Sequence, residues 1–515
     1  MKRFLRLILK LTSVLAVAIL VARFLFPLPD ISKRAPSLAI PISLVTTIGS
    51  KAIEEHSAHP GKSGVLPLRS GQDALASRLA LIAAAEASVD AQYYIWHDDT
   101  SGILLLEALY QAANRGVRVR LLLDDNGVPG LDGFMAALNA HENFEIRLFN
   151  PSTIRSPKLL GYTFDFFRMN RRMHNKSLIV DGSVAIIGGR NIGDEYFEVG
   201  GDNFYADMDV LATGTIVPET ASVFDQYWNS QSVFEAETIL QAAGDMTAFE
   251  ERAMDIRAGD DAIEFLQDVN DSASEYANAN TQLEWTDVQL VADDPVKGIG
   301  IATREQLMIT RLGEILGGVE TQLDLVSAYF VPGDEGTAWF SKLAEAGIDV
   351  RILTNALNTT DVLMVHAGYS KYRRELLESG VHLYELRLRG GTTGAEIQSM
   401  PFGLSGASLH AKTFAIDDQR IFIGSFNFDP RSATLNCEMG FLIDSPTIAG
   451  KVSSGFDGPF ETISYQPELT PEDKMIWREV QGDGEEIIYQ EEPGTTWMQQ
   501  ISIVVIGLLP IEWLL

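Results

Sequence analysis

His174-Asn175-Lys176-Ser177-Leu178-Ile179-Val180-Asp181, continuing to Gly188-Gly189-Arg190-Asn191, returns 236 residues later as His410-Ala411-Lys412-Thr413-Phe414-Ala415-Ile416-Asp417, continuing to Gly424-Ser425-Phe426-Asn427. Both copies read H-x-K-x4-D-x6-G-[GS]-x-N without an insertion. Five fixed residue types over eighteen positions keep register twice. The residue types suit one chemistry. An imidazole can attack phosphorus at neutral pH and leave again. Two of them can divide the work between nucleophile and general acid. A lysine and an asparagine beside each would cradle non-bridging oxygens and stabilise transition-state charge. In a strand, His174 and Lys176 share a face, as do His410 and Lys412. The apolar triplets Leu178-Ile179-Val180 and Phe414-Ala415-Ile416 would bury that strand.

Each copy sits in a similar run of elements. In the first half, residues 87–94 read as a strand, 102–114 as a helix stopped by Gly116, and 117–123 as a buried strand. Asp124-Asp125-Asn126-Gly127 reads as the turn that closes it. In the second half, residues 323–330, 337–345 and 348–354 repeat the scheme, with Gly347 as the stop. Strands alternating with helices of this length predict parallel sheet with helices outside. A period above two hundred residues means duplicated domains, since solenoid repeats run to about 20–50.

The doubled motif resembles the HKD signature of the phospholipase D superfamily, over residues 64–465. The resemblance implies an α/β fold of two similar phospholipase D-like domains, each a mostly parallel β-sheet flanked by helices, related by a pseudo-twofold axis. It implies that the two histidines meet across that axis, with His174 as the nucleophile forming a phosphohistidine and His410 as acid and then base. Lys176, Lys412, Asn191, Asn427 and Ser425 would hold the phosphate. Asp181 and Asp417 complete the motifs, although in the family this aspartate lies away from the phosphate and is structural or tuning. Family members also set a downstream carboxylate on the far nitrogen of each histidine. Glu438, 28 residues after His410, fits that place, and Asp207 is the first-half candidate, at a spacing of 33. Gly189 departs from the pattern, because the second copy has Ser425 there.

The chain of 515 residues is long enough for two ordinary domains. A net charge of −30 argues against a general nucleic-acid binder, and so against a nuclease. Locally, Arg155, Lys158, Arg168, Arg171 and Arg172 gather before the first motif, with Asp165 the only acid among them. They read equally as a solvated face or as a mouth that draws in an anionic head group. The single cysteine, Cys437, excludes an intrachain disulfide and reads as a small buried residue. Eight histidines without H-E-x-x-H or paired cysteines indicate no metal site, and no cofactor is implied. His97 and His366 read as scaffold histidines ahead of a direct role. Tyr93, Tyr94, Tyr329 and Phe330, at matching strand ends, line an apolar way in for acyl chains or pack the core.

The expected division is an N-terminal signal anchor or transmembrane segment (1–28), a loosely structured lead-in (29–63), and a first domain (64–239). An acidic helical linker (240–282) follows, with a break at Asp271-Ser272-Ala273-Ser274. The second domain (283–465) and a C-terminal tail with an apolar interface segment (466–515) complete it. Lys2, Arg3, Arg6 and Lys10 precede an apolar run that Arg23 interrupts, as in an uncleaved anchor. The basic flank would keep that end in the cytoplasm; Arg23 argues the other way, so the side stays open. Trp497 and Trp513 bracket an apolar stretch too short to span a bilayer, which suits an interface or a helix buried on the catalytic domain.

The Tyr93–Asp99 stretch and the C-terminal ending look like the bacterial cardiolipin synthase branch, which implies the bacterial inner membrane. The expected activity is phosphatidyl transfer between phospholipids, with phosphatidylglycerol as substrate and phosphatidylethanolamine as a second candidate. The alternatives are hydrolysis to phosphatidic acid and a membrane scaffold without turnover. No nucleic acid is expected as partner, and an auxiliary protein is left open.

Overall fold

Both motif strands, Ser177–Val180 and Lys412–Ile416, are buried along their whole length. Each turns straight back on itself, pairing antiparallel with Val184–Gly188 and Arg420–Gly424. The turns need left-handed backbone, and the residues there tolerate it: φ is +51° at Asp181, +61° at Gly182, +53° at Asp417 and +54° at Asp418. The computed structural model describes residues 2–201, 204–241, 243–267, 283–360, 362–387, 408–482 and 484–515. The Asp271–Ser274 break and the rest of the linker from residue 268 lie outside them.

The motif hairpins sit in the middle of two large sheets. The first runs, edge to edge, Glu284–Thr286, Ser63–Leu68, Asp209–Gly214, Val184–Gly188, Ser177–Val180, Ser88–Ile95, Arg118–Gly127, Phe144–Phe149 and Val233–Glu235. The second runs Val288–Ala292, Met439–Asp444, Arg420–Gly424, Lys412–Ile416, Gln322–Ser327, Asp349–Asn355, His382–Leu386, Ser464–Leu469, Met475–Val480 and Glu486–Tyr489. The α/β class and the two similar domains are as expected; the direction of most strands is not. Among the described residues only two pairings in each sheet are parallel, those among Ser88–Ile95, Arg118–Gly127 and Phe144–Phe149 and among their counterparts Gln322–Ser327, Asp349–Asn355 and His382–Leu386. The helical crossovers enforce those, and the tight turns after each motif make the neighbouring strands antiparallel.

The duplication extends to buried charge. Asp90 faces Arg120 across the first parallel pair, and Asp324 faces Arg351 across the second. The pairs close at 2.6 and 2.5 Å, and each arginine reaches on to a second acid, Asp225 or Asp457. Beneath them the apolar core has three large parts among the described residues. One backs each sheet on its outer side, and a central one mixes Ile179, Ile187 and Val210 of the first sheet with Ile421, Ile423 and Phe441 of the second.

Several boundary expectations change. Residues 124–127 do not turn: the strand Arg118–Gly127 continues through them. The second sheet extends past residue 465 to Tyr489. The lead-in contains the helix Thr47–Ala58, and Arg34 donates to the carbonyls of Asn229 and Ser230 at 2.8 and 2.7 Å. The N-terminal segment forms one helix, Lys2–Leu25. Yet no helix among the described residues is long and apolar enough to cross a membrane. The uncharged part, residues 11–22, is twelve residues between Lys10 and Arg23, where a span needs about 20.

The motif aspartates are structural. Asp181 accepts from the backbone N–H of Glu86, Ala87 and Ser88 at 3.1, 2.8 and 2.9 Å, and Asp417 accepts from Glu320, Thr321 and Gln322. Each pins the start of the strand beside its motif. Asp181 is buried, so Asp181→Ala orphans those donors and should cost about 2 kcal/mol or more of folding stability. Denaturant titration of the variant checks this; an unchanged midpoint would contradict it.

Candidate active site

Each motif histidine precedes its strand, in a segment that pairs with the other domain. His174 N–H donates to Cys437 O at 2.8 Å, and Cys437 N–H donates to Arg172 O at 2.8 Å. The mirror contacts are His410 N–H and Ala411 N–H to Ala206 O, at 2.8 and 2.9 Å. Cys437 and Ala206 each lie immediately before an acid, Glu438 and Asp207. The backbone exchange therefore carries each acid across to the other half's histidine.

That crossing corrects the expected assignment. Glu438 accepts from His174 Nδ1 at 2.8 Å, and Asp207 accepts from His410 Nδ1 at 2.6 Å. Each carboxylate thus lies downstream in one half and serves the histidine of the other. A carboxylate on Nδ1 holds the proton there and leaves the Nε2 lone pair free. Both histidines are 7 % exposed, which shuts out bulk water yet leaves the rings reachable.

Charge converges on the same point. Lys176 Nζ lies 2.6 Å from His174 O, and Lys412 Nζ lies 2.8 Å from His410 Nδ1. Burial, then the charges of Lys176 and Lys412, hold the His174 imidazole well below the usual histidine range. Burial and the same two lysines do this to His410. Burial also depresses Lys176, while Glu438 is pushed up to about 7 and Asp207 is raised. Each histidine feels the other half's lysine, so the two half-sites form one site.

The remaining candidates divide. Ser425 Oγ donates to Glu438 at 2.5 Å and accepts from Met439 N–H at 3.0 Å, so its hydroxyl steadies the carboxylate and its proton is not aimed at a phosphate. A side chain at Gly189 has no room, because a Cβ there would lie 2.1 Å from Asp207 Oδ1. Asn191 accepts from Ile95 N–H at 3.2 Å and donates to Tyr196 Oη at 3.0 Å. Asn427 is buried, with no hydrogen bond to its Oδ1 among the described residues.

Some expected features act as scaffold. Arg155 and Lys158 pair with Asp125 at 2.6 and 3.1 Å, Arg168 with Asp165 at 2.5 Å, and buried Arg172 with Asp124 at 2.7 Å. Arg155, Lys158 and Arg172 are thus paired with aspartates distant in sequence, and Arg168 with its near neighbour Asp165. His366 is buried against Glu492 at 2.6 Å, as a scaffold histidine is. Cys437 is buried, and burial pushes its thiol up to about 12. His97, Asp99 and Glu195 are the one group of three possible metal ligands that converge among the described residues, and neither motif histidine is in it.

Aromatic rings complete the walls: Tyr94, already a candidate from the sequence, and two tyrosines that the pattern could not reveal. Tyr94 stands edge-on to His174 at 5.1 Å; Tyr196 and Tyr205 lie 5.1 and 5.2 Å from His410. Phe330 and Tyr93 are core residues, Tyr93 accepting from Arg78 at 3.0 Å. Arg190, at a variable motif position whose counterpart is Phe426, donates to Asp207 O at 2.6 Å and holds that acid's backbone.

The arrangement can form and break a bond to phosphorus: one free Nε2 to attack, one to carry a proton, two ammoniums for the oxygens. A family model described as "Cardiolipin synthase, PLD-like domain" matches residues 79–228 and 314–458. Cardiolipin synthase C of Escherichia coli (strain K12) is 43% identical over 462 residues, 89% of this chain and 98% of its own. A cardiolipin synthase of Staphylococcus aureus (strain N315) is 26% identical over 383 residues, 74% of this chain and 63% of its own. Among solved structures, phosphatidylserine synthase of Haemophilus influenzae Rd KW20 shares the fold at a TM-score of 0.57 and 12% identity, covering 90% of this chain and 100% of that one.

The depressed imidazoles are neutral at pH 7. An anion drawn to Lys176 and Lys412 offsets the charge that depresses them, so their proton affinity rises on binding. Sulfate, which does not itself titrate near neutrality, should therefore bind with proton uptake at pH 7. Calorimetry in buffers of differing ionisation enthalpy measures this; proton release, or heat independent of buffer, would contradict it.

Proposed function

The chain belongs to the phospholipase D-like family of cardiolipin synthases, and on that premise we propose that it transfers a phosphatidyl group between phospholipids at the bacterial inner membrane, with cardiolipin as product. The crossed pairs, Glu438 on His174 and Asp207 on His410, are the observation that carries the reading. They orient two buried imidazoles, each of which feels the charge of both Lys176 and Lys412.

His174 Nε2 attacks the phosphorus of a phosphatidyl donor. The N–P bond forms, the bond to the head-group oxygen breaks, and His410, which takes up a proton on Nε2 when the phosphate anion binds, gives that proton to the leaving alkoxide. Phosphatidylglycerol as donor releases glycerol; phosphatidylethanolamine releases ethanolamine. His410, now neutral, takes the proton from a hydroxyl of a second phosphatidylglycerol head. That oxygen attacks phosphorus, the N–P bond breaks, and cardiolipin leaves with His174 restored. Lys176 and Lys412 stabilise the charge that builds on the non-bridging oxygens. Water as acceptor would give phosphatidic acid by the same intermediate. The choice depends on how well the site excludes water and orients the lipid hydroxyl. The tyrosines that wall both histidines favour exclusion.

Detergent-dispersed protein with phosphatidylglycerol and phosphatidylethanolamine, resolved by mass spectrometry, tests the proposal. New cardiolipin is expected, falling by about a thousandfold or more in His174→Ala. Phosphatidic acid alone would mean that water is the acceptor, and no lipid product from the wild type would overturn the reading.

A further inference from the structure

Large apolar side chains open to solvent concentrate in three places. These are the helix Lys2–Leu25, the turn and helix spanning residues 158–169, and the C-terminal helix Trp497–Gly507 with the residues just beyond it. Phe24, Leu159, Phe167 and Leu508 are 83, 75, 68 and 81 % exposed. Scattered apolar exposure needs no explanation, but a contiguous face does.

The structure makes these patches contiguous. Phe26, at the end of the N-terminal helix, stacks on Phe164 at 6.1 Å, and Arg23 donates to Phe164 O at 3.0 Å. The helix Tyr162–Met169 thus carries the N-terminal helix on one side. Its far end joins the C-terminus. Asn170 accepts from Arg431 through its carbonyl and its side-chain oxygen, at 3.1 and 2.7 Å. Arg431 in turn donates to Leu514 O at 3.2 Å, and its backbone N–H to Leu515 O at 2.5 Å. Leu508 lies six positions before Leu514, at most about 22 Å away fully extended. The Asn170–Arg431 joint lies four residues before His174 and four after Asn427, so this face borders the site.

Its charge points to one partner. On a chain of net −30, the helix Lys2–Leu25 carries Lys2, Arg3, Arg6, Lys10 and Arg23 and no acid. Each basic residue is drawn to an anionic leaflet, while the rest of the protein is repelled. Trp497 and Trp513 are exposed, as residues at a lipid–water boundary are.

We infer that the three patches are one docking face, on which the protein lies against an anionic phospholipid bilayer with the Asn170–Arg431 joint turned toward the lipid. The inference rests on the lipid-substrate reading above, and it goes further by assigning the surface and its orientation. The face lies on the bilayer and does not span it, so neutralising either its apolar or its basic part weakens binding.

Flotation of the full chain with vesicles tests this. Wild type should bind phosphatidylglycerol–phosphatidylethanolamine vesicles at least tenfold more tightly than phosphatidylcholine vesicles. The paired variants Phe166→Ser with Phe167→Ser, and Val504→Ser with Leu508→Ser, should each bind the anionic vesicles at least tenfold more weakly, as should Arg3→Glu with Arg6→Glu and Lys10→Glu. Turnover of a short-chain, monomeric phospholipid should be unchanged in the serine variants, which reports that they fold. His174→Ala should float like wild type while inactive, so docking and catalysis fail separately. Wild-type binding by the Phe166/Phe167 pair would overturn the single face, and equal binding to neutral vesicles would overturn the choice of partner. A dimer in sedimentation that the serine variants dissolve, with vesicle binding intact, would assign the face to a second copy and overturn the inference.

Discussion

Everything at the centre of this molecule depends on two hydrogen bonds exchanged between domains. Glu438 fixes His174 and Asp207 fixes His410, so neither half holds a complete histidine–carboxylate pair. The exchange needs backbone continuity, which the Arg172–Cys437–His174 and Ala206–His410 contacts supply. It also needs two domains that do not slide. The shared central core, with residues of both sheets interdigitated, resists sliding because close-packed interiors deform in steps. In such a site a lost carboxylate and a shifted domain have the same consequence, an imidazole with the wrong tautomer or direction.

Around that exchange the two halves are near copies, and their differences are compensated locally. Asp207 is shorter than Glu438 and packs where Gly189 leaves room, whereas Glu438 is held by Ser425. The absent hydroxyl in the first half is thus matched to a shorter acid whose backbone Arg190 secures. The walls differ more: one tyrosine ring against His174, two against His410. Chemically equivalent histidines in unequal surroundings are what a division between nucleophile and acid requires.

The site was legible in the sequence where its physics is local. The doubled spacing revealed the motif residues, the duplication and the α/β repeat, because buried strands and tight turns constrain consecutive positions. Glu438 and Asp207 were also found, yet their partners were exchanged, since spacing from the nearer histidine cannot reveal a domain crossing. The antiparallel majority of strands escaped for a related reason: strand direction follows from connections such as the turn at Asp181-Gly182, and periodicity carries no direction. The ion pairing of the basic run before the first motif was not legible, because the counter-ions of Arg155, Lys158 and Arg172, namely Asp124, Asp125 and Asp132, lie 23 to 48 residues upstream. Tyr196 and Tyr205 had no repeat partner to mark them. At the N-terminus, charge at Lys10 and Arg23 limits the apolar run to less than a span, although the helix itself forms as expected.

The crossed orientation is the claim on which the account stands, and nitrogen-15 NMR of imidazole-labelled protein measures it most directly. Glu438→Gln should shift the Nδ1 resonance of His174 and leave His410 in place, and Asp207→Asn should do the converse. A shift of His410 on altering Glu438, with His174 unmoved, would mean that each half orients its own histidine, and the account would be wrong.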